Sequence, residues 1–247
     1  MGRDVQERIF PGAERILVMS QGMADLYRRK YNLLSTPLVH SLPEPIPADI
    51  QTETPDNTGF WGGAVYDIND RSVVRISNAL SSIRGYRLFI ACNDNREQLV
   101  RRGLDESGFI LKYITEREAY LDTLRRQAFL VLALNWPDET ATHEDELSTI
   151  FPTKTVEYLA SGRPILVHCP EDYFLARFFR DHECAEVVTE RSIDAIGEAV
   201  LKLIADGEYA ASLARKALKA AEMFRLERVA GQFHDLVEET MHGLKQG

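Results

Sequence analysis

The sequence has little of what marks several common classes of protein. Its 247 residues include only three cysteines, at scattered positions and without a C-x-x-C pair, which argues against a disulfide framework and a structural zinc site. No apolar run approaches the roughly 18 residues that a membrane-spanning helix needs, and the N-terminus carries no continuous apolar region of the signal-peptide type. We therefore expect a cytosolic protein whose cysteines lie in or near the core.

Positive charge and two familiar sequence motifs are also scarce. The net charge is -9, which does not support a nucleic-acid partner, although a local basic pocket for phosphate is compatible with it. A G-x-G-x-x-G motif is absent, so a dinucleotide cofactor is not indicated and no cofactor is expected. No serine, cysteine or threonine stands in a nucleophile elbow, and the sequence alone identifies no catalytic residue.

From about residue 57 onward, the chain alternates short apolar runs with segments of helical periodicity. This alternation predicts repeated βα units and an α/β fold, a Rossmann-like doubly wound parallel sheet with helices on both faces. The strands are expected at residues 59–63, 87–92, 109–113, 129–134, 164–168 and 185–189. The helices between them are expected at residues 71–82, 97–102, 116–127, 152–161 and 172–180.

The first part of the chain has a different pattern. A strand at residues 15–20, a helix at 21–31 and a short strand at 38–40 precede a segment that contains Pro43, Pro45, Pro47 and Pro55. Proline favours an extended backbone, so this segment is interpreted as a linker. We predict three units, a short N-terminal β-α segment with the start of the linker (residues 1–48), the α/β domain (49–226) and a final helix (227–247).

The strongest indication of a ligand site is the segment F-P-T-K-T-V-E-Y-L-A-S-G-R-P-I-L at residues 151–166. Pro152 suits the first position of a helix and Gly162 the residue after its end, so a helix of roughly ten residues is expected. Lys154 and Glu157 would share one face near the helix start, where unpaired N–H groups favour a phosphate. The alternative is a solvated Lys154 with Glu157 acting as a local cap.

Other candidates lie where predicted strands end, because ligands bind at the carboxyl ends of strands in an open parallel sheet. Gly62 and Gly63 end the first strand of the domain and leave room for a ligand. Arg71 begins the next helix and either reaches the same crevice or is solvated. The acidic loop at residues 135–148 is interpreted as a solvated segment rather than a metal site, and His168 as a hydrogen-bonded structural histidine rather than an acid or base.

Three sequence segments resemble parts of GT-B glycosyltransferases, especially the retaining group 1 enzymes related to family four, and most of the chain resembles their C-terminal, nucleotide-sugar donor-binding domain. The segment A-E-R-I-L-V-M-S-Q-G-M-A-D-L at residues 13–26 is similar to the last strand and helix of the N-terminal acceptor domain. The segment G-F-W-G-G-A at 59–64 is similar to the opening strand of the donor domain, and the densest match is the segment at 151–166. The resemblance implies a metal-independent enzyme that transfers a sugar from a nucleoside-diphosphate sugar to an acceptor, in a process such as polysaccharide biosynthesis. It also implies that Glu157 binds the ribose hydroxyls, and that Lys154 and the backbone near Phe151 face the diphosphate.

The sequence also departs from the pattern of these enzymes. Thr149 stands where their second acid is common, and Ala64 stands where an arginine is common, with Arg71 an approximate match for the accompanying lysine. Most of an acceptor domain is not recognisable, so the resemblance implies a chain that is inactive alone and lacks an N-terminal domain or a partner subunit. The alternatives are a non-catalytic regulatory or scaffold module of the same fold and a sugar-nucleotide epimerase.

Overall fold

The structure, a computed structural model, describes residues 8–246. The first seven residues of the predicted N-terminal unit and Gly247 of the predicted final helix lie outside the described residues. The described chain begins with two helical residues, 8–9, and a 3₁₀ turn at Phe10–Gly12. They are followed by β1 (Leu17–Val18), α1 (Gln21–Tyr31) and β2 (Thr36–Pro37), and β1 and β2 pair in parallel. The predicted helix at 21–31 is confirmed, whereas the second strand lies at Thr36–Pro37 and not at 38–40 as predicted.

The rest of the chain is built around a parallel sheet of six strands, as predicted. The strands are β3 (Asp56–Gly62), β4 (Arg87–Ala91), β5 (Phe109–Lys112), β6 (Gln127–Ala133), β7 (Ile165–His168) and β8 (Glu186–Val188). Their order in the sheet is β5-β4-β3-β6-β7-β8. This is the Rossmann order. From β3 to β5 the chain adds strands toward one edge of the sheet, and from β6 to β8 it adds them toward the other edge, so the strand order reverses between the neighbours β3 and β6.

Helices cover both faces of the sheet. They are α2 (Asp70–Ser81), α3 (Arg96–Arg101), α4 (Arg117–Arg125), α5 (Glu144–Leu147), α6 (Thr155–Leu159), α7 (Phe174–Asp181), α8 (Ile193–Ala205), α9 (Gly207–Ala221) and α10 (Leu226–Gln246). No helix among residues 8–246 is both long enough and apolar enough to cross a membrane.

Two apolar cores lie on opposite faces of the sheet, because successive side chains of a strand point to opposite sides. Phe60 belongs to one core and Trp61 to the other, and Leu130 and Val131 are divided in the same way. The buried strands are therefore almost continuously apolar, as expected for a parallel sheet covered on both faces. All three cysteines are buried and free, as predicted: Cys92, Cys169 and Cys184.

The predicted linker contains neither a helix nor a regular strand, and it crosses the start of the final helix. The Leu42 N–H donates to the Phe224 carbonyl at 2.6 Å, and the Leu226 N–H donates to the Leu42 carbonyl at 3.3 Å. Further along the linker, the Gln51 N–H donates to the Gly162 carbonyl at 3.2 Å. The linker is thus fixed at both of its ends to the α/β domain.

The helix predicted at residues 152–161 is shorter than expected. It begins at Thr155 and ends at Leu159. The Thr155 N–H donates to the Pro152 carbonyl at 2.9 Å, so residues 152–155 form a tight turn that precedes the helix. Lys154 is consequently the residue before the helix, and the prediction of a helix of roughly ten residues that contains Lys154 is wrong.

Candidate functional site

An open cavity of about 630 Å³ lies at the carboxyl ends of β3 and β6, where the strand order reverses. This is the place at which an open α/β sheet binds its ligands. Its lining includes five of the six residues proposed from the sequence, namely Gly62, Gly63, Phe151, Lys154 and Glu157. The two glycines are about ninety positions from the other three residues in the chain, and the parallel sheet brings the two groups together.

The glycine turn after β3 forms one side of the cavity. A Cβ atom at Gly62 would lie 2.2 Å from the Tyr120 hydroxyl, so only glycine fits at that position. Gly63 has a φ of +100° with open space where its Cβ would be. That conformation is one that glycine adopts without strain. The turn therefore exposes backbone to the cavity, as expected from the sequence.

Lys154 connects this turn to the segment before α6. Its Nζ donates to the Gly62 carbonyl at 2.9 Å and lies 3.1 Å from the centroid of the Trp61 ring. Burial lowers the pKa of Lys154 well below its ordinary value, and the nearby charge of Glu157 opposes that effect. The ammonium group has protein partners already, so it is a half-buried group of the cavity wall and not a free surface cation.

Glu157 lies at the end of the cavity nearest the linker and is paired with Arg117. Arg117 Nη1 donates to Glu157 Oε1 at 2.5 Å, and the same guanidinium contacts Glu44 of the linker. Burial alone would lower the pKa of Arg117, but its hydrogen bonds to Glu157 and Glu44 outweigh burial and raise that pKa. Sequence reasoning did not identify Arg117, although the first residue of a helix that follows a strand is a position from which side chains reach such a crevice.

Two tyrosines support the floor of the cavity. The Tyr158 hydroxyl accepts a hydrogen bond from the Gly62 N–H at 2.8 Å. Burial raises the pKa of Tyr158 well above its ordinary value, and that of Tyr120 is raised for the same reason. Both phenols therefore stay protonated and fix the position of the glycine turn. Tyr158 follows Glu157 directly in the motif, but no pattern in the sequence indicated that its hydroxyl reaches β3.

Phe151 anchors the segment that carries Lys154. Its ring stacks on Phe224 with a centroid distance of 5.8 Å and lies 4.9 Å from the ring of Phe178. The residue lines the cavity, while its ring packs against Phe178 and Phe224. Phe151 thus connects the cavity wall to the 3₁₀ turn Glu222–Phe224, which precedes the final helix.

Asn135 holds the loop that borders the cavity on the side of α2. Its amide nitrogen Nδ2 donates to the Asp67 carbonyl at 2.7 Å and to Asp70 Oδ1 at 2.8 Å, and its Oδ1 accepts from the Ser72 N–H at 3.0 Å. A fully buried amide with its groups paired is a rigid support. The loop residues Tyr66, Ile68 and Asn69 line the cavity as a result.

Arg71 and Thr149 do not line the cavity. Arg71 is exposed on the first turn of α2. The Thr149 hydroxyl donates to the carbonyl oxygens of Asp145 and Glu146, at 3.2 and 3.0 Å, and so belongs to the end of α5. The basic residues among the described lining are Arg117 and Lys154, and both are paired.

The acidic loop and His168 serve the fold. Residues 137–139 and 144–147 form short helical turns, and Glu139 is paired with Arg75 at 2.5 Å. His168 is fully buried, contacts the Val188 carbonyl through Nδ1 at 3.1 Å and accepts from Arg75 Nε at 3.1 Å through Nε2. Burial lowers the pKa of His168 to about 4. Within the part of the chain that the structure describes, no group of three or more His, Cys, Asp or Glu side chains could hold a metal ion.

Solved structures with the same fold include glycosyltransferases. A sucrose-phosphate synthase from Thermosynechococcus elongatus matches 97% of this chain at 14% identity with a TM-score of 0.72, over 61% of its own length. The pneumococcal O-GlcNAc transferase GtfA, solved with UDP and GlcNAc, matches 97% of this chain at 13% identity with a TM-score of 0.67, over 47% of its own length. WaaG, a glycosyltransferase involved in lipopolysaccharide biosynthesis, matches 90% of this chain at 15% identity with a TM-score of 0.62, over 62% of its own length.

These similarities establish the fold of the chain. No family model and no curated protein matches the sequence. The chain spans between about half and three fifths of the length of these solved proteins. It therefore has the fold of one domain of a GT-B glycosyltransferase, with a Rossmann-like sheet and a small N-terminal two-stranded unit.

Proposed function

We propose that this chain is the donor-binding half of a glycosyltransferase and that its cavity holds a nucleoside-diphosphate sugar. The observation that carries the proposal is the convergence of the glycine turn, Lys154 and Glu157 on one cavity at the point where the strand order reverses. An exposed glycine backbone and an ammonium group suit a diphosphate, and a carboxylate suits a pair of ribose hydroxyls. The sugar would then project away from the sheet toward an acceptor.

The proposed chemistry is stabilisation of a departing diphosphate. When the bond between the sugar and the diphosphate breaks, negative charge grows on the leaving group, and positive groups fixed beside it lower the barrier. Lys154 can supply that charge, because Arg117, the other basic residue of the lining, is held by Glu44 and Glu157. A diphosphate next to Lys154 raises the pKa that burial has lowered, so the bound state keeps the ammonium charged.

A non-catalytic module of the same fold is the second candidate, and specific observations favour it. Both basic groups of the cavity already have protein partners, and Arg71 lies outside it. A diphosphate that binds Lys154 therefore competes with the contacts that its ammonium group makes to the Trp61 ring and the Gly62 carbonyl. In a module without catalytic activity, these internal contacts would occupy the basic groups that otherwise bind a diphosphate.

Calorimetric titration of the 247-residue chain distinguishes the two candidates. Uridine, guanosine and adenosine diphosphates and their sugars are added with excess chelator and, separately, with magnesium. The proposal expects one base to bind with the same affinity in both conditions, with binding abolished or strongly weakened in Lys154→Ala and Glu157→Gln and unaffected in the distant control Lys216→Ala. The absence of binding by every nucleotide would favour the non-catalytic module, and a strict requirement for magnesium would contradict the metal-independent site.

A further inference from the structure

Arg117 joins the cavity to the linker through one guanidinium group. Its Nε and Nη2 contact Glu44 Oε1 at 2.8 and 2.7 Å, while its Nη1 contacts Glu157 Oε1 at 2.5 Å. Glu44 lies in the linker, and Glu157 lies in the cavity wall. One arginine is thus held by a linker carboxylate and in turn holds a carboxylate of the proposed ligand site.

The stability of the fold does not explain Glu44. Its second oxygen, Oε2, is buried and has no hydrogen-bond partner among the described residues. The space around it is lined largely by apolar side chains, including Leu42, Leu121 and Leu124. A buried polar atom without a partner destabilises a protein by about 1–3 kcal/mol, and one half-exposed ion pair contributes about 1 kcal/mol or less. An apolar side chain would serve the packing at least as well.

The position of Glu44 is set by the crossing of the linker and the final helix. Leu42 lies two residues before Glu44. Its N–H donates to the Phe224 carbonyl, and its carbonyl accepts from the Leu226 N–H. Glu44, the residue that holds Arg117, therefore lies beside the contact between the linker and the final helix.

We propose that Arg117 is a positioning residue for ribose recognition, and that Glu44 makes this recognition depend on the linker. The proposal rests on the proposed function, since it requires a ribonucleoside diphosphate in the cavity. Arg117 occupies Glu157 Oε1 and leaves Oε2 to accept hydrogen bonds from the two ribose hydroxyls. The geometry of the diol site is correct only while Glu44 keeps Arg117 in place.

The test compares each ribonucleoside diphosphate that binds with its 2′,3′-dideoxy counterpart, which lacks the diol. The ratio of the two affinities is measured by calorimetry for the wild type, Glu44→Gln, Glu44→Met and Arg117→Met. We expect the preference for the ribonucleotide to fall about two- to fivefold in the Glu44 variants, as for loss of one half-exposed ion pair. In Arg117→Met it should fall about tenfold or more, because a charge-assisted contact to Glu157 is lost.

The control is Glu186→Gln, which removes an ion pair of similar exposure far from the cavity. The Glu186–Lys202 pair has side-chain exposures of 17% and 49%, and the Glu44–Arg117 pair has 24% and 47%. This variant should keep the wild-type ratio. Glu44→Met should also keep or raise the melting temperature, because it removes a buried oxygen without a partner.

The outcomes separate this proposal from the one on which it rests. Binding by the wild type with an unchanged ratio in the Glu44 and Arg117 variants overturns the positioning role and leaves the proposed function standing. A Glu44→Met variant that loses thermal stability and keeps its ratio shows that Glu44 is structural, with the same consequence. If no nucleoside diphosphate binds the wild type, both proposals fail.

Discussion

The six-stranded domain and the N-terminal unit of this molecule are stabilised by different interactions. The six-stranded domain buries an apolar core on each face of its sheet, with residues such as Phe60, Phe129 and Leu166 fully enclosed. The N-terminal unit, β1-α1-β2, has two-residue strands, and Leu17, Met19 and Leu34 are exposed on it. Polar contacts join it to the domain, including a pair between Lys30 and Asp145.

The difference shows where the site obtains its rigidity. Every residue that we place in the nucleotide site belongs to the six-stranded domain, whose burial fixes the glycine turn and the cavity floor. The N-terminal unit and the exposed stripe of the final helix, with Phe233, Val237 and Met241, contribute no residue to the cavity. We infer that the domain supplies the lining of the cavity, and that Glu44 of the linker supports it through Arg117.

The largest effect should come from a matched pair of phenylalanine substitutions. Phe129→Ala removes a fully buried ring, and a loss of about 3–5 kcal/mol in the free energy of unfolding is expected. Phe233→Ala removes a ring that is 49% exposed on the final helix, so a change within about 0.5 kcal/mol is expected. Denaturant unfolding of both variants measures the contrast, and losses of equal size would contradict the division of the molecule described above.

The second prediction separates the site from the stability of its domain. Glu157→Gln should weaken the binding of a nucleoside diphosphate by about 1.5–3 kcal/mol, since it loses charged hydrogen bonds to the ribose. The melting temperature should change little, because the carboxylate lies at the cavity and not in a core. Lys154→Ala should affect the diphosphate more than the nucleoside. Unfolding of Glu157→Gln with its ligand affinity intact would make Glu157 a structural residue.

The third prediction concerns the pH dependence of the domain. The pKa of His168 is about 4 in the folded chain and near its ordinary 6.5 in the unfolded chain, so between these values the unfolded chain binds a proton that the folded chain does not. Stability from His168 is therefore complete above about pH 6.5 and is lost as the pH falls toward 4, by about 2 kcal/mol between pH 7 and pH 5. Unfolding at the two pH values measures the loss, and NMR of the imidazole nitrogens should show His168 neutral at pH 5. A titration of His168 near pH 6.5 would contradict the buried contacts with Arg75 and Val188.

The smallest effect should come from the attachment of the N-terminal unit. Asp145→Asn breaks the pair with Lys30, and the hydrogen bond from Lys30 is the main reason that the pKa of Asp145 is lowered. Such surface pairs contribute about 1 kcal/mol or less, so global stability should hardly change while amide exchange in α1 becomes faster. A large loss of global stability would mean that the N-terminal unit supports the domain more than its contacts suggest.

The fold was largely predictable from the sequence, because the pattern of a βα unit is repeated along the chain. Each buried strand is a short apolar run, and each is followed by helical periodicity, so the six strands and their parallel arrangement were predicted with small errors at the ends. The segment at residues 151–166 failed in detail. Pro152 and Gly162 indicated a helix between them, but the contacts of Lys154 with the Gly62 carbonyl and the Trp61 ring come from another strand, and a local pattern contains no information about them.

The site was predictable only where its residues lie in recognisable positions. Gly62, Gly63, Phe151, Lys154 and Glu157 were identified from strand ends and from one dense motif. Their supports, among them Tyr120, Tyr158, Asn135, Arg117 and Glu44, depend on distances between segments that are far apart in the chain. The placement of Arg71 was left open between the crevice and solvent for the same reason, since a position near a strand end does not determine the direction of a long side chain.

The central claim is that the cavity at the carboxyl ends of β3 and β6 is a nucleotide site in which a diphosphate draws Lys154 away from Trp61. The chain has two tryptophans, so a Trp136→Phe variant reports the fluorescence of Trp61 alone. Titration of this variant with the nucleoside diphosphate that binds should give a saturable change in that fluorescence with the midpoint found by calorimetry, and the change should disappear in Lys154→Ala. Calorimetric binding with no change in Trp61 fluorescence would place the nucleotide elsewhere and contradict the claim.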